Sequence, residues 1–226
     1  MKNQINLKYM GWVGLLCLCL ACNDPIVDFG YDGGITGRIL DGNGNVVPGD
    51  ITNASFTVQA TGERDRLPMV FRVKGDGTFA NTALFPQKYV ITVVGPVSGP
   101  GEIEVDLSGG RQVIQDITVV PFLSLSKPSI VGGIEGSSVT IDYTIAGNND
   151  YTSELREVYC STVNFPNANT GNGPYWHTRS VVLDNESGSV TIEDLVPGTK
   201  YFLRVGARAN GTSAFNFSEQ ITFDTP

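Results

Sequence analysis

Histidine is nearly missing from this chain: His177 stands alone among 226 residues. A Ser-His-Asp triad needs its histidine held as a proton shuttle, and catalytic zinc usually takes two or three. A lone histidine in a loop-like stretch reads as a surface residue. Cysteine is almost as scarce where it would count. Cys17, Cys19 and Cys22 crowd the start of the chain, and only Cys160 follows. A single thiol forms no internal disulfide and no cysteine-rich metal cluster, so "EVYCST" reads as a strand with a small buried hydrophobe. Basic charge is also short: 15 Lys and Arg face 23 Asp and Glu, for a net charge of −8. That field repels phosphate backbones and argues against a nucleic-acid partner. A long apolar run is missing too. The one greasy stretch, Met10 to Ala21, falls short of the roughly 20 residues that span a bilayer as a helix.

No catalytic constellation emerges. Acids are plentiful, but nothing places two of them across a cleft at a glycosidase separation, and an enzyme is not expected. "DGNGN" (Asp41, Asn43, Asn45) imitates the start of a calcium loop, yet Val46 and Thr52 stand where such a loop needs Gly and Glu. Asp and Asn with Gly at a hairpin tip explain it through turn chemistry. Neither a metal nor a cofactor is expected.

What the chain does have is alternation. No segment after the start shows a helical period, whereas 27 Gly and 12 Pro punctuate short β-rich runs, as in sandwiches and barrels. In "SVTIDYTIA", Val139, Ile141, Tyr143 and Ile145 face one way and Thr140, Asp142 and Thr144 the other. "KYFLRVGARA" sets Tyr201, Leu203, Val205 and Ala207 on one face, and "GEIEVDL" opposes Ile103, Val105 and Leu107 to Glu102, Glu104 and Asp106. Period two with one polar face predicts half-buried antiparallel sheets. Residues 22–33 read as an acidic, Gly-rich tether. "VPFLSLSKPSIV" (120–131) breaks one strand series and starts another, so the boundary is placed there, with domains over 34–121 and 122–226.

The start of the chain, Lys2 and Lys8 followed by the short apolar core, describes a secretory signal over residues 1–21. "CLACND" resembles the lipobox of bacterial lipoproteins, in which the Cys after the cut, here Cys22, receives lipid. Without Lys2 and Lys8 the charge becomes −10. The first module, with Gly37, Ile39, Asp41, Gly44, Val47 and Gly49 and then "GDGTFANTALFPQKYVITV", resembles carboxypeptidase-regulatory-like, prealbumin-like sandwiches. Asp76-Gly77 there predicts a two-residue hairpin. The second, "LVPGTKYFLRVGARANGTS", resembles the end of a fibronectin type III or immunoglobulin-like sandwich, which implies that Tyr201 is a tyrosine corner bonding back to the backbone. The whole order resembles a Bacteroidetes family of two-domain lipoproteins of unknown function, often encoded beside outer-membrane glycan importers of the starch-utilisation-system type. Asp24 and Asp28 are similar to its surface-export tag. The resemblance implies an outer-membrane lipoprotein, at the cell surface or on the periplasmic face.

The most unusual stretch is "NFPNANTGNGPYWHT", residues 164–178. Ring faces beside amides are what sugar binding uses, so Tyr175, Trp176 and His177 with Asn167, Asn169 and Asn172 form the candidate glycan site. Packing of these rings on the sandwich is the competing reading. If 174–182 is a strand, Tyr175 and Trp176 point to opposite faces. The expected function is a lipid-anchored binding protein, an accessory of capture of neutral polysaccharide or a partner of importer proteins. The rival is a structural or adhesive module without a sugar site.

Overall fold

The computed structural model describes residues 30–50, 56–171 and 176–226. The fold is all-β, two sandwiches in series, with no helix among the described residues. The first contains β1 (Gly33–Leu40), β2 (Thr57–Gly62), β3 (Met69–Arg72), β4 (Thr78–Leu84), β5 (Lys88–Val94), β6 (Val97–Ser98), β7 (Ile103–Asp106), β8 (Gln112–Ile114) and β9 (Ile117–Thr118). One sheet runs β4-β1-β8 with β9 also on β1, and the facing sheet runs β3-β2-β5-β7. Ile35, Ile39, Phe79 and Ile117 from one sheet meet Val58, Phe71, Tyr89, Ile91 and Val105 from the other in a single buried core. The alternation does the sorting: in β7 and just beyond it, Val105 and Leu107 are buried while Glu104 and Asp106 face solvent.

The chain passes through β10 (Val120–Pro121), which pairs with β6, into β11 (Leu123–Leu125), β12 (Ser129–Glu135), β13 (Ser138–Gly147), β14 (Ser153–Ser161), β15 (Arg179–Val182), β16 (Ser187–Ile192), β17 (Lys200–Ala209), β18 (Phe215–Phe217) and β19 (Ile221–Asp224). β13 carries β11 and β12 along one edge and β16 along the other; β15-β14-β17 forms the second sheet, closed by β18 and β19 on β17. A second core, including Val139, Ile141, Cys160, Tyr201, Leu203 and Val205, fills the space between them. The Tyr201 hydroxyl accepts a bond from the Val196 backbone N–H at 3.0 Å. Cys160 is buried, and that burial pushes its thiol up to about 12.

Two sequence expectations change. Asp76-Gly77 does not close a two-residue hairpin. Gly77 N donates to the Lys74 carbonyl (2.9 Å) and Lys74 N to Thr78 O (2.9 Å), closing a three-residue loop with Gly77 at φ 71°. The tip 41–45 repeats that geometry, with Gly44 N on Asp41 O, Asp41 N on Asn45 O, and Gly44 at φ 84°. A left-handed third residue suits glycine because no Cβ clashes with the backbone. Strand β15 also begins at Arg179, so Trp176 lies in the loop before it and strand alternation does not set its direction.

The sandwiches meet through polar side chains as well as apolar ones. Arg204, on the face of β17 turned away from its own core, is 1% exposed. Its Nε donates to the Pro166 carbonyl (2.6 Å), Nη1 to Gly49 O (3.1 Å) and Nη2 to Phe165 O (3.1 Å). The guanidinium carbon lies 3.7 Å from the centroid of Phe217. Burial pulls Arg204 down to about 10, against the opposing pull of Asp50 and Tyr159. Asn216 joins the same junction, donating to the Pro96 carbonyl at 3.0 Å while its oxygen accepts from Leu123 N at 3.1 Å.

Candidate functional site

The segment between β14 and β15 is the long polar loop singled out by the sequence. Its first half belongs to the domain junction. Phe165 sits at φ 54° with its N–H on Gln220 Oε1 (2.6 Å), and its ring lies over Gly75 of the first domain, where any Cβ would collide with it. Asn167 departs from its expected role. It is 2% exposed, and its amide donates to Asp50 Oδ1 at 2.7 Å. Its own oxygen accepts from Asn169 N (2.8 Å), so its hydrogen-bonding capacity is spent on holding the loop and the first domain together. An amide in a polar loop looks the same in sequence whether it meets a sugar hydroxyl or a carboxylate.

The second half points outward. Trp176 is 47% exposed. Its indole lies over Gly171, where a built Cβ would sit 2.9 Å from Cζ3 and 3.4 Å from Cε3. One part of the ring surface therefore rests on bare backbone while the rest remains open. The loop limbs are pinned beneath it: Trp176 O accepts from Thr162 N (3.0 Å) and Ser161 Oγ (2.9 Å), and the Thr178 hydroxyl donates to Gly171 O (3.0 Å). His177 follows, half-buried at φ 42°, and Asn169 is exposed. Tyr175, Asn172 and Cys22 lie outside the described residues. The structure thus brings Trp176, His177 and Asn169 into one surface loop and assigns Asn167 to the junction.

A second concavity runs along the junction, between the tip 41–48 and β11, with Asn43, Asn45, Ser124, Ser126, Lys127 and Glu219 on its walls. Much of its polar capacity is already used. Asn45 donates to Asp41 Oδ2 (3.0 Å), Ser126 Oγ accepts from Thr144 N (2.9 Å), and Ser124 Oγ accepts from Asn148 (2.8 Å). Asp41 is the cap of its own turn rather than a cation ligand: its Oδ1 accepts from Asn43 N and Asn45 N, both at 2.8 Å. Burial works to raise its pKa, but the bonds from Asn45, Asn43 and Gly44 outweigh it and hold the carboxyl below its usual range. Among the described residues no three His, Cys, Asp or Glu side chains gather as metal ligands would.

The junction residues Arg204, Asp50, Phe165 and Asn216 were not singled out by sequence reasoning. One signal existed. Gly206, in the middle of β17 and on the same face as Arg204, leaves space for the Tyr159 and Phe217 rings, each within 3 Å of a built Cβ. A glycine inside a strand marks a close approach by something else.

No protein-family model matches this chain, and neither does any curated protein. Solved structures do. A protein from Bacteroides uniformis, provisionally named a carbohydrate-binding protein, superposes with a TM-score of 0.68 at 17% identity, covering 86% of this chain and 100% of its own. A DUF3823 family protein from Bacteroides ovatus gives 0.69 at 18%, covering 86% and 99%. One from Parabacteroides merdae gives 0.67 at 20%, covering 85% and 98%. None of these three is named as an enzyme. At these identities the likeness is one of fold: both sandwiches, in this order, across nearly the whole of each neighbour.

Proposed function

We propose that this protein is a lipid-anchored, non-catalytic binding protein of the outer cell envelope that holds neutral polysaccharide against Trp176 as an accessory of glycan capture. The observation that carries the reading is the half-exposed indole seated on Gly171. A ring already fixed in place offers its surface to the C–H patches of a sugar without further loss of side-chain freedom. The net charge of −10 left once Lys2 and Lys8 are removed with residues 1–21 favours neutral glycans over sulfated or uronic-acid-rich ones. The provisional name of the Bacteroides uniformis neighbour supports a carbohydrate ligand, and the "CLACND" sequence supports attachment through Cys22.

Affinity electrophoresis in neutral polysaccharides tests the site. The parent should be retarded, and Trp176→Ala should weaken retention by roughly fivefold or more, the scale of one lost aromatic contact. Gly171→Val should do the same by lifting the ring while leaving it present. Parent mobility unaffected by every polysaccharide would sink the glycan reading in favour of a structural module. For the anchor, a palmitate analogue should label the wild type and not Cys22→Ser; equal labelling would refute it.

A further inference from the structure

The connection from β14 to β15 runs over residues 162–178. A loop of that length keeps one shape only where other parts of the molecule hold it. Here the first domain supplies one hold. Asp50 Oδ1 accepts the Asn167 amide at 2.7 Å, and the two residues are 3% and 2% exposed. Arg204 ties the carbonyls of Phe165 and Pro166 to that of Gly49. The Phe165 ring rests on Gly75, where a built Cβ would sit 2.2 Å from its Cγ.

Asn167 passes that hold along the loop. Its N–H donates to Thr170 Oγ1 (2.9 Å) and its carbonyl accepts from Thr170 N (2.9 Å). Its side-chain oxygen accepts from Asn169 N (2.8 Å) and from the Thr170 hydroxyl (3.3 Å). A tight turn is thus wound around the one amide that grips the first domain. Gly171, the seat of the Trp176 indole, follows directly on that turn. The second hold comes from the loop's own domain, through Thr178 on Gly171 O and Ser161 on Trp176 O. Bonds between buried polar groups are costly to leave unmade, so Asp50 fixes the turn more firmly than a solvated partner would.

We propose that the first domain is a working part of the Trp176 site, with Asp50, Gly75 and Arg204 as positioning residues. They fix the 165–171 limb so that Gly171 stands beneath the indole, and they need not touch the ligand. Docking of the two sandwiches and capture at Trp176 are then coupled: a ring seated only part of the time binds with affinity reduced by that fraction. The inference rests on the Trp176 reading for its ligand, but the placement of the ring is measured without one.

All strands and both cores lie within 30–226, so a chain of residues 23–226 retains the fold. It lacks Trp12, which leaves Trp176 as its only indole. Acrylamide quenching of its fluorescence therefore reads the ring itself. Asp50→Ala and Gly75→Ala, both in the first domain, should raise quenching above that of the parent. Asp50→Asn keeps an acceptor for the Asn167 amide and should return quenching close to the parent value. Tyr201→Phe, which weakens the second domain away from the junction, should leave quenching unchanged. In affinity gels of amylopectin, galactomannan or hydroxyethylcellulose, Asp50→Ala should lose retention roughly fivefold if its ring is seated about one time in five. Tyr201→Phe should be retained as the parent is. Parent-like quenching in both Asp50→Ala and Gly75→Ala, with circular dichroism unchanged, overturns the proposal. An equal rise in Tyr201→Phe overturns it as well, since the effect would then follow stability alone. A parent that no gel retards removes the glycan reading, and the quenching comparison by itself then decides whether the first domain places the ring.

Discussion

Strands β13 and β17 are both ten residues long and both alternate in sequence, yet they end in different surroundings. β13 keeps one dry face, with Val139, Ile141, Tyr143 and Ile145 buried while Asp142 and Thr144 meet solvent. In β17, Tyr201, Leu203, Val205 and Ala207 are buried as expected, but so are Arg204 and Gly206 on the other side. The difference is the neighbour. Asp142 on the outer face of β13 is exposed and meets only the Ser189 hydroxyl among the described residues, whereas the 165–167 loop and Gly49 of the first domain close over Arg204. Alternation reports which face meets a strand's own core; it is silent on whether a second body covers the other.

That contrast can be broken most sharply at Arg204. Arg204→Ala would leave the carbonyls of Gly49, Phe165 and Pro166 without their donor in a buried site, and a loss of about 3 kcal/mol is expected. Asp142→Ala, the matching change on β13, should stay within about 0.5 kcal/mol; chemical denaturation measures both. Equal effects would mean that the junction opens freely in solution. Asn167→Ala should cost about 2 kcal/mol, since it strips a charge-assisted bond from buried Asp50. Tyr201→Phe tests the inner face of β17 instead, removing one acceptor from the Val196 N–H for about 1 kcal/mol.

Acid should loosen the first domain's share of the junction by a smaller, graded amount. Asp41 and Asp76 cap the two tips; Asp76 accepts from Thr78 N at 3.0 Å and from its hydroxyl at 2.7 Å. Burial pulls Asp76 upward, but the Thr78 bonds and Lys74 win, and both carboxyls are held below the ordinary 3.8. Groups depressed in the folded state contribute fully above their unfolded pKa, and that contribution is lost as pH falls through the folded values. Protection of the amides at 41–45 and 74–78, taken relative to their intrinsic exchange rates, should therefore fall below about pH 4 before that of β13 does.

Much of the fold was legible because it is local. Period two placed β7, β13 and β17, and glycine at the third loop position marked both tips even though the loop length was misjudged by one residue. Trp176 does face solvent, but not through strand alternation, since β15 begins only at Arg179. What the sequence hid is pairwise and distant. Asp50 and Asn167 are separated by 117 residues, and Arg204 and Gly49 by 155. Nothing in either segment alone distinguishes a bonded amide or guanidinium from a solvated one. The Asn167 reading failed for that reason.

The parallel pairing of β1 with β8 and β9 has a mechanical consequence. Gly34–Thr36 run beside Gln112–Ile114, and Ile39–Leu40 beside Ile117–Thr118, in the same direction. A pull that draws the start of β1 one way and the exit at Pro121 the other slides these strands along each other. The bonds between them, among them Gly34 N to Arg111 O (3.0 Å), Gln115 N to Thr36 O (2.8 Å) and Val119 N to Leu40 O (2.8 Å), then carry the load together in shear instead of parting one after another like a zip. A domain built this way resists tension between its two ends, and it should give way in one step at high force.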